Sequence, residues 1–309
     1  MKRFKNILVV YRDAVGDDDA LTQATELAVR NGARLTLLEV IEDLDAHAST
    51  EAERRKRLSR IASSITQQGL EVDVVVSRGT PFICIIQRVL RHGHDLLMAS
   101  AERSGGFKEL FFGNTSMHLM RKCPCPVWIV NSGEGPGYNR VLAAVDPRPM
   151  DGGDDDLNTK ILDFATSLAL LHSSELHVLN AWDLTGADLE TSRSEITDGA
   201  KAALLRKNER RYEERLEALL GQYDLAQIDH FSHVARGDPS TVIPQQTHEK
   251  GIDIIVMGTV RRSGIAGFFI GRTAELVLRQ VECAVLTVKP AGFVTPIALE
   301  DAPGAVHGV

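Results

Sequence analysis

The sequence predicts an α/β fold: two tandem doubly wound domains, each a five-stranded parallel sheet flanked by helices, joined as an intramolecular pseudo-dimer. Three observations predict it. The second half of the chain repeats the first, short apolar runs alternate with longer segments of helical period, and 309 residues suffice for two domains of ordinary size.

The repeat is clearest between Arg78–Val130 and Arg236–Val288, which align without a gap. Arg78-Gly79-x-Pro81 lies over Arg236-Gly237-x-Pro239, and Gly93-x-Asp95 lies over Gly251-x-Asp253. Gly113, Arg121 and Cys125 fall on Gly271, Arg279 and Cys283. The earlier parts match with gaps. Asn6–Val10 answers Arg140–Ala144, Leu35–Leu38 answers Leu176–Leu179, and the acidic run Asp17–Asp19 resembles Asp154–Asp156. The glycine-bearing stretch from Asn131 to Asn139 reads as a linker. The expected division is therefore a first domain over 1–132, a second over 139–290, and a tail over 291–309.

Within the second half the apolar runs are Val141–Val145, Leu176–Asn180, His230–Val234, Ile254–Met257 and Val285–Val288. Runs of this length without charge suit strands buried on both faces. Ile161, Phe164, Ala165, Leu168 and Ala169 form a helical stripe, and so do Leu205, Tyr212, Leu216 and Leu219. Strict alternation of strand and helix implies parallel strands with right-handed crossovers.

Composition narrows the function. Apolar residues make up 43% and charged residues 25%, an ordinary balance for a protein with a packed core. A net charge of -7 and the lack of a long basic run argue against nucleic-acid binding. Arg54-Arg55-Lys56-Arg57, flanked by Glu51 and Glu53, reads as the solvated face of a helix. No apolar run reaches membrane-spanning length, and four cysteines are too few for a disulfide scaffold, so a cytoplasmic location is expected.

In doubly wound sheets, ligands sit beyond the carboxyl ends of the strands where the strand order reverses. The strand Ile254–Met257 runs into Gly258, and a helix opens near Arg272 after Gly271. Glycine admits close backbone approach, and free N–H groups at a helix start suit phosphate. Arg261, Arg262 and Arg272 add positive charge. Turn glycines beside solvated arginines fit the same pattern.

This segment resembles the nucleotide loop of the universal stress protein family: Gly, two residues, Gly, nine residues, Gly, then Ser or Thr. Gly258 and Gly271 match the first and third glycines, while Arg261 and Arg272 stand at the second glycine and at the Ser/Thr position. Asp146 matches the family aspartate that lies near the adenine. The resemblance covers both halves and is strongest to the E-type tandem members. It implies a site built from Val145 and Asp146, Met257 and Gly258, Arg261, and Gly271, Arg272 and Thr273. It implies ATP or a related adenine nucleotide there, with Mg²⁺. It also implies a stress-response regulator with no or slow hydrolysis, signalling through an unknown protein partner. The last strands, Val127–Val130 and Val285–Val288, resemble the edge strands through which single-domain relatives dimerise, which implies that the fused halves satisfy both edges internally and that the chain is a monomer. A ligand-free scaffold and an ATP-using enzyme are the alternatives. In the first half Ser100, Arg103 and Arg12 replace the two glycines and the aspartate, with only Gly113-Asn114-Thr115 retained, so nucleotide binding is expected to be lost there.

Other patterns are weaker. Cys123-Pro-Cys125-Pro126 reads as small buried hydrophobes, and His92-Gly-His94 and His230-x-x-His233 lack a set of partner ligands. Asp154–Asp156 reads as a helix start in preference to a Mg²⁺ site.

Overall fold

The computed structural model describes residues 4–14, 16–42, 50–101, 113–131, 137–148, 156–184, 198–259 and 271–299. The first half runs β1 (Asn6–Val10), α1 (Asp17–Asn31), β2 (Arg34–Ile41), α2 (Glu51–Thr66), β3 (Val72–Arg78), α3 (Pro81–His92), β4 (Leu96–Ser100), α4 (Asn114–Lys122) and β5 (Val127–Val130). The second runs β6 (Arg140–Ala144), α5 (Asp156–His172), β7 (Glu175–Trp182), α6 (Asp198–Leu220), β8 (His230–Arg236), α7 (Pro239–Glu249), β9 (Ile254–Gly258), α8 (Arg272–Leu278) and β10 (Ala284–Val288). The two tandem α/β units follow the predicted strand-and-helix order.

The strands form one 10-stranded sheet in the order β3-β2-β1-β4-β5-β10-β9-β6-β7-β8. Each half is parallel throughout, and the halves meet where β5 and β10 pair antiparallel, with Leu286 opposite Trp128 and Val285 opposite Ile129. Alternate residues along a strand point to opposite faces. The buried apolar residues therefore divide by face, with both halves contributing to each. Ile7, Trp128, Val141 and Leu286 belong to one cluster. Leu8, Ile129, Leu142 and Val285 belong to the other. The tail crosses back over the join, where Gln87 Nε2 donates to Ala298 O at 3.1 Å.

The most legible repeats turn out to be structural. Gly79 and Gly237 have φ of 134° and 143°, a region that other residues rarely enter. Each amide reaches back to the strand before, to Ile41 O at 2.9 Å and Trp182 O at 2.7 Å, and the proline two residues on opens a helix. In the Gly-x-Asp repeats, Asp95 accepts from the amides of Lys5 and Asn6 at 2.7 and 3.0 Å. Asp253 does the same for Asn139 and Arg140 at 2.5 and 2.9 Å. These carboxylates fasten the start of β1 and of β6.

The basic run on α2 corrects an expectation. Arg55 and Lys56 are exposed as expected, but Arg54 and Arg57 are not. They turn inward onto Glu39 of β2, whose side chain is fully buried, at 2.5 and 2.7 Å. A capping box between Thr50 and Glu53 starts this helix, so Glu53 serves the backbone and does not offset the arginines. On α6 the predicted stripe holds at Tyr212, Leu216 and Leu219, whereas Leu205 is only partly buried and Asn208 joins the buried face.

Candidate functional site

Strands β6 and β9 are parallel neighbours, with Ala144 level with Met257. Beyond them the chain departs in opposite directions, β6 toward β7 and β9 toward β10, so a crevice opens at their carboxyl ends. It forms a cleft of about 460 Å³. Val145, Asp146, Met257, Gly258, Gly271 and Thr273 line it, together with Pro239 at the first turn of α7. Of the remaining expected residues, Arg261 lies outside the described residues. Arg272 is exposed at the start of α8, off the cleft wall. It acts on Asp238, whose carboxyl is held below its ordinary value by hydrogen bonds from Ser240 and by that guanidinium.

Side chains that sequence reasoning missed hold the cleft in shape. Asn158 on α5 grips the Asp146 backbone from both sides. Its Oδ1 accepts from the Asp146 amide at 3.0 Å, and its Nδ2 donates to the Asp146 carbonyl at 2.7 Å. Asn180 of β7 donates to Val145 O at 3.1 Å. Asn158 lies a whole loop away from Asp146 in sequence, and no local pattern marks it. The Asp146 carboxylate is engaged by Arg148, whose Nε lies 2.9 and 3.0 Å from its two oxygens and whose Nη2 lies 2.6 Å from one of them. Thr259 also lines the cleft, and the carbonyl of Thr259 accepts from the Gly271 amide at 2.8 Å.

Gly258 is glycine for want of room. A Cβ there would come within 2.8 Å of Leu157 Cδ2 on the first turn of α5. Gly258→Val is expected to cost about 1–3 kcal/mol by overpacking. Urea unfolding measures it, and an unchanged midpoint would show that Leu157 yields freely.

The first half carries the same framework with different side chains in its crevice. Arg12 stands where Asp146 stands, and its amide donates to Asp17 Oδ2 at 2.6 Å, as the Asp146 amide donates to Asn158. Asp17 thus takes the place of Asn158; of the acidic run 154–156 only Asp156, the first residue of α5, is among the described residues. The Arg12 guanidinium lies against Ser100, 3.2 Å from Oγ and 3.3 Å from the carbonyl, and 3.8 Å from Asp17. The Ser100 hydroxyl closes the triangle by donating to Asp17. Among the described residues a pocket of about 60 Å³ lies beside Arg12. Three exchanges act together: Asp to Arg, Asn to Asp, and Gly to Ser. The cation Arg12 is met by the anion Asp17, and both lie where the second half has its cleft.

The other motifs resolve into neighbours. His233 meets His177 of β7, Nε2 to Nδ1 at 2.9 Å, while His230 Nδ1 faces Ile228 O at 3.0 Å. Burial brings His233 down to about 4, with Lys250 and His177 adding to the effect. Cys123, Cys125 and Cys283 are buried, and the first two sulfurs lie 3.5 Å apart. Among the described residues no group of three or more His, Cys, Asp or Glu is placed to hold a metal ion. Among them, too, no helix is long and apolar enough to cross a membrane.

Comparison with known proteins agrees with this architecture. The chain is 29% identical over 317 residues to Universal stress protein E of Escherichia coli (strain K12), covering 97% of this chain and 99% of that one. It is 28% identical over 318 residues to Universal stress protein E of Photorhabdus laumondii, covering 96% and 98%. Among solved structures, a functionally unknown protein from Pseudomonas aeruginosa PAO1 superposes with a TM-score of 0.74 at 24% identity, covering 94% of each chain. A universal stress protein from Archaeoglobus fulgidus DSM 4304 superposes with a TM-score of 0.60 at 18% identity, covering 92% of this chain and 98% of that one. The model of the Universal stress protein family matches residues 3–131 and again 137–289. The chain therefore belongs to the universal stress protein family, with two family domains in tandem.

Proposed function

We propose that this stress-response protein binds ATP or a related adenine nucleotide, with Mg²⁺, in the second half only, and works as a binding module that signals through a protein partner. The observation that carries the reading is the asymmetry between the crevices. The same framework leaves about 460 Å³ open beyond β6 and β9. Among the described residues it leaves about 60 Å³ beside Arg12 in the first half. The larger volume lies in the range of small-molecule sites, and its walls mix aliphatic side chains with a few polar groups.

In this reading Asp146 supplies the acceptor for an exocyclic amino group. Gly258, Gly271 and Thr273 let the chain approach the phosphates. Asn158 and Asn180 hold the Asp146 segment in place from α5 and β7. Pairing of β5 with β10 inside one chain supports a single chain as the working unit.

Calorimetric titration with ATP and Mg²⁺, beside an Asp146→Ala variant, tests the proposal. One binding site is expected, with affinity reduced about tenfold or more in the variant, the size of a lost charge-assisted hydrogen bond. No heat and an unmoved thermal melt would favour the scaffold reading, with Arg148 as the permanent occupant of Asp146. Two equivalent sites would contradict a site in the second half only.

A further inference from the structure

Lys289 is the first residue beyond β10, and it is almost fully buried, at 5% exposure. Its ammonium donates to the carbonyl of Met120, on α4 of the first half, and to the hydroxyl of Thr259. Thr259 Oγ1 is also 3.3 Å from Met120 O. The carbonyl of Thr259 accepts from Gly271 at 2.8 Å, and both residues line the cleft. A continuous line of hydrogen bonds thus runs from the first half, through Lys289, to the point where β9 and α8 are held together.

The pseudo-symmetric position is built from other residues. Ala101 stands where Thr259 stands, its amide on Val130 O as that of Thr259 is on Val288 O. Asn131 stands where Lys289 stands and reaches the carbonyl of Glu282 at 3.3 Å. The lysine and the hydroxyl occur together on the side of the cleft.

A buried ammonium is costly unless it is well paired. Among the described residues no carboxylate pairs with Lys289 Nζ. The groups that face it are the Met120 carbonyl, the Thr259 hydroxyl, the thiols of Cys123 and Cys125, and the Phe293 ring at 5.4 Å. The nearby cation Lys160 lies on the Lys289 carbonyl at 3.4 Å and is paired with Asp156 at 2.6 Å. Burial lowers the Lys289 ammonium to about 8, and the thiols oppose the shift. The contact is thus charged at neutral pH and loses its charge in mildly alkaline solution. Hydrogen bonds from a charged donor are roughly twice as strong as neutral ones, so the line weakens as the proton leaves.

We propose that Lys289 is a positioning residue for the cleft, latching the Thr259–Gly271 pair to Met120 so that ligand binding in the second half depends on contact with the first. The proposal rests on the reading of the cleft as a nucleotide site. It gives the first half a role, as the brace for its partner.

The test compares the full chain with Lys289→Met, which keeps the apolar stem and removes the charge. Two readouts are taken: calorimetry with ATP and Mg²⁺ at pH 7 and pH 9, and hydrogen exchange at pH 7, without nucleotide, in peptides containing Gly271. The unaltered protein is expected to bind about tenfold more weakly at pH 9 than at pH 7, the size of one charge-assisted hydrogen bond. Lys289→Met is expected to be weaker at pH 7 by the same factor and flat between the two values. Its Gly271 amide is expected to exchange faster, with exchange in β1 unchanged. Thr259→Val removes the acceptor but keeps the charge, and is expected to speed Gly271 exchange likewise, which covers a Lys289→Met chain that does not fold. Equal affinities, equal pH profiles and unchanged exchange would overturn the latch. If the unaltered protein does not bind ATP at pH 7, the nucleotide reading falls and exchange alone decides the latch: faster at Gly271 sustains it, unchanged overturns it.

Discussion

Glu39→Asn is expected to destabilise the protein by about 3–5 kcal/mol, the cost of breaking a buried ion pair from one side. Glu39 is fully buried in β2, and its two oxygens are taken by Arg54 and Arg57, whose side chains are 15% and 26% exposed. Removing the carboxylate takes the Glu39 anion from both guanidiniums, while Arg57 keeps Asp13 at 2.8 Å. The second half shows how the position is filled without charge. Strand alignment places Asn180 at the position of Glu39. On α6, Asn208 sits one turn before Tyr212, as Arg54 sits one turn before Leu58 on α2, and both asparagines are buried. Adding Arg54→Asn to Glu39→Asn is therefore expected to recover part of the loss. Urea unfolding of the two single variants and the double variant gives the coupling energy. Additive losses would show that the pair acts as two independent charges.

Trp128→Ala is expected to cost about 3–5 kcal/mol, in the range for emptying a buried aromatic site. Trp128 is 1% exposed and stands opposite Leu286 where the two halves join. Its indole donates to the Tyr138 hydroxyl at 3.1 Å, and that hydroxyl donates to Gln23 at 2.9 Å. The truncation opens a cavity and removes a donor from a buried chain of hydrogen bonds. Trp128→Phe is expected to cost less, because it refills most of the volume. The chain has two tryptophans, so the variant leaves Trp182, in the second half, as sole indole reporter. Both apolar clusters run across the join, so Trp182 fluorescence and far-ultraviolet circular dichroism are expected to shift to the same lower midpoint. A Trp182 transition left at its original midpoint would mean that the halves unfold separately.

The strand-and-helix order was legible because period and punctuation are local. The strands centre on short apolar runs, and repeated glycines such as Gly79 and Gly237 mark turns whose backbone angles other residues rarely adopt. That the two last strands cover each other was expected from their resemblance to dimerising edges, whereas the antiparallel sense came from the structure. The local view misread Arg54 and Arg57. A basic run on a helix looks solvated until the fold brings a buried carboxylate from β2 beneath it. It also gave no direction for Arg272, which is exposed at the start of α8, because spacing counts residues and does not show which way a side chain leaves the helix. Asn158 escaped notice because its partner, Asp146, meets it only after a loop of variable length.

By itself, then, the sequence determined the tandem architecture, the identity of the strands and the end of the sheet at which a ligand cleft belongs. These follow from residue type, periodicity and repetition along the chain. The sequence also marked the first half as the altered site, but tertiary structure decided how Arg12, Asp17 and Ser100 meet there, converging from a strand end, a helix start and a second strand. It likewise decided that Arg148 covers Asp146 and that Lys289 joins the halves, since the energy of such contacts depends on burial and on partners distant in sequence.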